Sequence, residues 1–321
     1  MGIIRYMKNQ FRHDRNMKRA LDNQYEELLL TRMLVVEQMS RSLIEKTLNS
    51  KQMGVTEERL CDHEVVVSLT SFGKRIYDVS LAIESIMQGT VKPNRIVLWL
   101  SDEEFKGQPL PKAIELQKAR GLQVEFCEDI RSYKKLIPSL KMYPKACIIT
   151  IDDDALYEYD FLERMMEAHR SHPKSICGSR VHKIKLGDDK RPLSYMNWDL
   201  YKADVNKESP LHFPTGVGGI LYPPHCFMQE ILNKDAFMEL APYADDVWFY
   251  AMGLMNDTSF VKVYTRKPNG DFTELPSAYS SALFAENTNP LNCRNDVQIK
   301  AVFEKYSLYE KLKLKVEAGN K

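Results

Sequence analysis

Cys147-Ile148-Ile149-Thr150-Ile151-Asp152-Asp153-Asp154 is an apolar, β-branched run that ends in three consecutive carboxylates. The run reads as a buried strand, and a buried strand delivers its last side chains to the edge of a sheet. Negative charges crowded there are costly unless a cation sits among them. The local ligands are all oxygen, which favours Mg²⁺ or Mn²⁺ over zinc. If extended geometry persists past the strand, Asp152 and Asp154 share one side and form the metal pair. Asp153 points the other way. A solvated turn or helix cap is the bland alternative, and it accounts for two adjacent acids better than for three. A divalent ion at this edge can hold a diphosphate, so the motif points to nucleotide-linked chemistry.

The flanking sequence repeats the same unit. Apolar strands are read at Val65–Thr70, Arg95–Leu100, Leu122–Phe126 and Ala146–Ile151. Helical stretches at Val79–Met87, Pro111–Arg120, Lys134–Met142 and Tyr159–His172 separate or follow them. Such β-α repeats call for an α/β fold with a mainly parallel sheet covered on both faces. Function in these folds lies beyond the carboxyl ends of the strands. Thr70-Ser71, Ser101-Asp102, Glu128-Asp129 and the triple aspartate all fall there. After Ile176 the pattern is less regular, with short strands at Gly219–Tyr222 and Phe260–Tyr264 between loops. This half is expected to complete the sheet as a mixed one and to form a second cleft wall.

The chain has 321 residues, enough for one large domain and an appendage. Lys+Arg of 45 against Asp+Glu of 44 leaves no basic excess for nucleic-acid binding. The division expected is a helical extension over 1–60, a main domain over 61–305 and a basic tail over 306–321. In the extension Leu29, Met33, Val36, Met39 and Leu43 recur at helical spacing. It is read as a packing or homo-oligomerisation surface. Its basic first turns, with Arg5, Lys8, Arg12, Arg15, Lys18 and Arg19, offer a second reading as a peripheral contact to an anionic membrane. No apolar stretch reaches the ~20 residues that span a bilayer. Ile3-Ile4 is cut short by Arg5, and Tyr6 breaks the myristoylation pattern. The six cysteines show no C-x-x-C pair and read as buried thiols, not a disulfide or zinc framework. A cytoplasmic protein, at most peripheral at the inner membrane face, is the expectation.

Four elements in order resemble the nucleotide-diphospho-sugar transferases of the GT-A fold, the family 2-like glycosyltransferases. They are Val65–Ser71 with Arg75-Ile76 behind it, the helix Leu81–Ile86, Asp152-Asp153-Asp154, and Ala244-Asp245-Asp246-Val247-Trp248. The resemblance spans about residues 64–305. It implies a Rossmann-like GT-A domain whose D-x-D carboxylates hold Mn²⁺ or Mg²⁺ on the donor diphosphate, a UDP-sugar being favoured. Thr70, Ser71 and Arg75 would contact base, ribose or phosphates, and Asp129 would accept a hydrogen bond from the base. Lys134 and Lys135 would reach a phosphate, and Asp153 joins this donor-binding set or serves the fold. Asp246 would act as the base on the acceptor hydroxyl with Asp245 orienting it, although capping of the helix that follows is a serious alternative.

The acceptor implied is a glycan or lipid-linked hydroxyl in cell-surface polysaccharide or glycolipid synthesis. The Q-x-x-R-W motif of processive synthases is absent, which argues for transfer of a single sugar. Thr215-Gly216-Val217-Gly218-Gly219 reads as a close-approach wall or a tight bend. His225 and Asn292–Asp296 are further candidates for donor or metal contacts, and Trp198 and Trp248 for stacking on a sugar, with structural roles favoured for all. Two other functions fit the same residues. A nucleotidyltransferase can share the sheet and carboxylates, but Ser71-Phe72-Gly73-Lys74-Arg75 only faintly echoes its Gly-rich loop. A non-catalytic sugar-nucleotide-binding or assembly protein would tolerate loss of Asp245 and Asp246.

Overall fold

The computed structural model describes residues 2–280, 287–288 and 293–319. Asn292 and Lys321 lie outside the described residues, as do the side chains of Arg5, Lys8, Arg12 and Arg15. Contacts divide the chain into two units, Met1–Glu45 and Lys46–Lys321. A single helix, α1 (Gly2–Asn49), makes up the first unit and extends into the second. Tyr25, Leu29 and Met33 of α1 are exposed. The helix stops at Asn49, and residues 50–64 carry neither helix nor strand. No helix among the described residues is long and apolar enough to cross a membrane.

The second unit is an α/β fold. Its elements begin β1 (Val65–Thr70), α2 (Val79–Met87), β2 (Arg95–Ser101), α3 (Asp102–Phe105), α4 (Lys112–Lys118), β3 (Leu122–Cys127) and α5 (Ile137–Met142). There follow β4 (Cys147–Thr150), β5 (Ala155–Tyr157), α6 (Phe161–Ser171), β6 (Ile176–Gly178), β7 (Val181–Lys183), β8 (Glu208–Ser209), β9 (His212–Pro214) and β10 (Ile220–Tyr222). The last strands and helices are α7 (Lys234–Leu240), α8 (Asp245–Met255), β11 (Phe260–Lys262), β12 (Phe272–Glu274) and the helices Arg294–Lys305 and Leu308–Gly319.

Eight strands form one sheet in the order β3-β2-β1-β4-β10-β6-β11-β8. The β3-β2-β1-β4 half is parallel throughout, as the β-α repeats predict. β10 enters antiparallel between β4 and β6, which makes the sheet mixed. Alternation along β1 supplies both covered faces. Val65, Val67 and Leu69 pack into one core with Ile83 and Phe161, and Val66 packs into the other with Trp99 and Trp248. Pairs β5–β12 and β7–β9 stand apart from the main sheet.

One buried ion pair fastens the helical layer. Glu84 on α2 has no exposed surface, and Arg120 donates to both its oxygens at 2.9 Å. Gln88, Thr47 and Gln117 also donate to this carboxylate, at 2.7, 3.0 and 3.1 Å. Removing one partner of a buried pair strands the other charge. Arg120→Met is therefore expected to destabilise the fold by about 3–5 kcal/mol, read as a lower urea midpoint at neutral pH. A loss below about 1 kcal/mol, the range of exposed pairs, would contradict that reading.

Candidate active site

β4 ends at Thr150 and releases the three aspartates beyond the carboxyl ends of β1 and β4. The ladder continues one step, with Ile151 N–H donating to the Ser68 carbonyl at 3.0 Å. The Asp152 amide then donates to the Tyr157 hydroxyl at 2.8 Å, which turns the chain into β5. Asp153 is buried and accepts from the Ser71 hydroxyl at 2.7 Å and from Arg75 at 2.9 Å. Arg75 also pairs with Asp154 at 2.7 Å. Ser71, Arg75, Asp153 and Asp154 thus form one cluster.

The second cluster is built on Lys135. A 3₁₀ turn, Arg131–Lys135, is held against β1 because the Ser68 hydroxyl donates to the Lys135 carbonyl at 2.6 Å. The side chain of Lys135 is buried, with its ammonium 3.5 Å from Asp152 and 3.2 Å from Asp245. A third contact, at 3.4 Å, goes to the Gly216 carbonyl. A Cβ at Gly216 would sit 3.0 Å from this ammonium, so a side chain there would press on the far end of Lys135. Gly218, at φ +88°, turns its amide onto Asp152 at 3.2 Å. Lys135 therefore ties the triple aspartate to the start of α8, residues more than 90 positions further along the chain.

Electrostatics follow this crowding. Burial and then Asp152 push the Asp154 carboxyl up to about 6, against the pull of Arg75. Burial and then Asp245 push Asp246 up to about 6, opposed by Lys135 and by the amides of Gly216 and Val247. Lys135 is itself raised: burial works to neutralise it, but Asp245 and Asp152 more than offset this. Ala244 holds the N-cap position of α8 without a side-chain bond, so the acidic pair after it serves the helix start. The Asp245 and Asp246 carboxylates accept from the amides immediately after them, at 3.1 and 2.9 Å, which satisfies first-turn donors of the helix.

The other predicted residues are placed differently. The Thr70 hydroxyl donates to the Trp99 carbonyl at 2.9 Å, closing the strand end. Lys134 is buried and pairs with Asp129, which also accepts from the Arg131 amide at 3.0 Å. These two residues meet each other; the triple aspartate's direct lysine partner is Lys135. Trp198 and Trp248 are core residues whose indole N–H groups donate to the Leu193 and Ile231 carbonyls, so neither offers a face to a sugar. His225 is exposed, with its carbonyl accepting from Asn256 at 2.9 Å. Asp296 accepts from the Tyr195 amide at 2.6 Å, a structural tie.

Arg180 and Tyr157 were not among the residues singled out. Arg180 follows β6 and its Nε donates to the Thr215 hydroxyl at 2.7 Å, bracing the glycine-rich wall. Its position after the strand-ending Cys177-Gly178-Ser179 is the signal that could have found it. Tyr157 follows the aspartates too closely to be read as anything but core.

An oxygen-only pair suits a hard cation. Asp152 accepts from the Gly218 amide at 3.2 Å and faces Lys135 at 3.5 Å, while Asp154 pairs with Arg75 at 2.7 Å. Mg²⁺ in particular is commonly bound by one or two carboxylates together with substrate phosphates. The oxygen donors present fit such an ion, and Asp152 and Asp154 are the residues that would hold it.

No family model matches the chain, and no curated protein matches it. Among solved structures, it is similar to S. aureus TarS 1–349 in complex with UDP, with 13% identity and a TM-score of 0.44, covering 75% of this chain and 70% of that one. A second structure of S. aureus TarS is similar at 14% identity and TM-score 0.44, covering 76% of this chain and 43% of that one.

Proposed function

We propose that this chain is a metal-dependent glycosyltransferase of the GT-A kind, moving one sugar from a nucleotide-diphosphate sugar to an acceptor hydroxyl. The destination would be a cell-surface glycan or glycolipid assembled on the cytoplasmic side. The observation that carries the reading is the buried Lys135 ammonium shared by Asp152 and Asp245 beyond the strand ends. It joins a carboxylate group suited to a diphosphate-bound cation with a second group suited to proton transfer.

The roles follow from chemistry. Asp246, held by the Gly216 and Val247 amides, takes the proton of the acceptor hydroxyl. A carboxyl near 6 is ionised at neutral pH yet more basic than an ordinary aspartate. The acceptor oxygen then bonds to the anomeric carbon, and the bond from that carbon to the diphosphate oxygen breaks with its electron pair leaving on the diphosphate. Lys135 fixes Asp245 beside Asp246 and adds positive charge near the departing diphosphate. Arg75 and Ser71 hold Asp153 so that the strand end keeps its shape. A cation held by Asp152 and Asp154 would act as a Lewis acid on the diphosphate.

The test is a panel of UDP-, GDP- and other nucleotide sugars incubated with the chain and Mn²⁺. Release of nucleoside diphosphate from one of them supports the proposal. A nucleotidyltransferase would instead release pyrophosphate from a nucleoside triphosphate and a sugar phosphate, and an assembly protein would bind nucleotide sugar without cleaving it.

A further inference from the structure

We propose a zinc site, separate from the aspartates, formed by Cys61, Cys147 and His169. Their sulfur and nitrogen atoms all lie within 4.8 Å of one another, the one such group among the described residues. Cys147 opens β4 and Asp152 lies past its end, so the two sites occupy opposite ends of one strand. Cys61 sits in the irregular segment before β1, and His169 comes from α6.

The distances fit one metal. Zinc takes sulfur at about 2.3 Å and imidazole nitrogen at about 2.0–2.1 Å in a tetrahedron, which sets the two sulfurs about 3.8 Å apart and sulfur to nitrogen about 3.6 Å apart. The observed values are 3.9 Å between the Cys61 and Cys147 sulfurs and 3.4 Å from the Cys147 sulfur to His169 Nε2. A disulfide needs about 2.05 Å between sulfurs, so these atoms are spaced for a shared ion and not for a bond. Cys147 is fully buried and His169 is 4% exposed, while Cys61 is half-buried and leaves a path in. Nδ1 of His169 is buried without a hydrogen-bond partner. Burying such an imidazole is unfavourable unless its other nitrogen gains a strong partner. Thiolate and imidazole donors select zinc over a hard cation.

Binding needs no oxidant. Each thiol loses its proton to solvent, the two thiolates and the neutral Nε2 each donate an electron pair to Zn²⁺, and two protons are released in all. The Cys61 thiol gives up its present contact with the His63 carbonyl at 3.3 Å. A water molecule fills the fourth position of the tetrahedron. Such a site would pin the segment ahead of β1 to β4 and α6, a structural role independent of any transferase activity.

The test uses the whole chain, stripped with a chelator and titrated with Zn²⁺ or Co²⁺. Wild type should take up one equivalent of zinc, show a thiolate-to-cobalt charge-transfer band, and gain thermal stability with the metal. Cys61→Ser, at a half-buried position that should fold, and His169→Asn should each weaken zinc by at least about 10-fold. Cys293→Ser and the Asp152→Asn/Asp154→Asn double variant should bind zinc as wild type does, which excludes the aspartates as the source. The proposal is overturned if wild type binds no more zinc than Cys61→Ser, or if His169→Asn binds it unchanged. It is equally overturned if an oxidant closes a Cys61–Cys147 disulfide at the same rate with and without zinc.

Discussion

The Asp152→Asn/Asp154→Asn double variant is expected to cleave nucleotide sugar about 100- to 1,000-fold more slowly than wild type. A Lewis-acidic ion contributes several kcal/mol to stabilising charge on a leaving phosphate, and each 1.4 kcal/mol is about tenfold in rate. Asparagine keeps the shape of both side chains, so the Gly218 amide retains an acceptor at position 152. Asp153 keeps its bonds to Ser71 and Arg75, which preserves the strand end. Initial rates over a Mn²⁺ titration, with circular dichroism to confirm folding, provide the measurement. Asp153→Asn makes the contrast: it removes a charge that Arg75 already neutralises, so Mn²⁺ dependence should survive while stability falls. A double variant with wild-type rate and wild-type Mn²⁺ dependence would sink the metal assignment.

Legibility in the sequence divides along physical lines. The parallel half was readable because each strand is a run of β-branched residues buried on both faces, followed by a helix of ordinary length. The strand end was readable to within one residue, at Ile151 against the observed Thr150, because the apolar run stops at Asp152. The antiparallel entry of β10 was not, because a three-residue strand carries no periodicity and Gly218 and Gly219 hide its approach. Lys135 was one of two adjacent lysines, and nothing local separates them. Only contact with Asp152 and Asp245 makes one a hub, while Lys134 turns to Asp129. The absence of C-x-x-C spacing pointed away from metal at the cysteines. Yet Cys61 and Cys147, 86 residues apart, come within 3.9 Å because parallel pairing of β1 with β4 sets Val65 opposite Cys147.

Asp246→Asn is expected to lower turnover by about 10²–10⁴-fold, the usual worth of a positioned general base, and to abolish one limb of the pH profile. In wild type the Asp246 carboxyl titrates at about 6, raised from its ordinary 3.8 by burial and by Asp245. Only the carboxylate form accepts a proton, so wild-type turnover should fall about tenfold for each pH unit below that value and level off above it. Stability moves in the opposite direction. Between 3.8 and about 6 the folded chain holds a proton that the unfolded chain has lost. This group's contribution is therefore fully present below pH 3.8 and disappears as pH rises through about 6. Asparagine cannot titrate, so the variant should lose that part of the pH dependence and be relatively more stable at pH 7 than at pH 4. Asp245→Asn separates a base from its neighbour: with the adjacent charge gone, the acid limb should persist but shift to lower pH. Rate profiles and urea midpoints from pH 4 to pH 8 on the three proteins decide the matter. If Asp246→Asn retains the acid limb, or turns over within a few-fold of wild type, the base lies elsewhere, and Asp245 beside Lys135 becomes the residue to test.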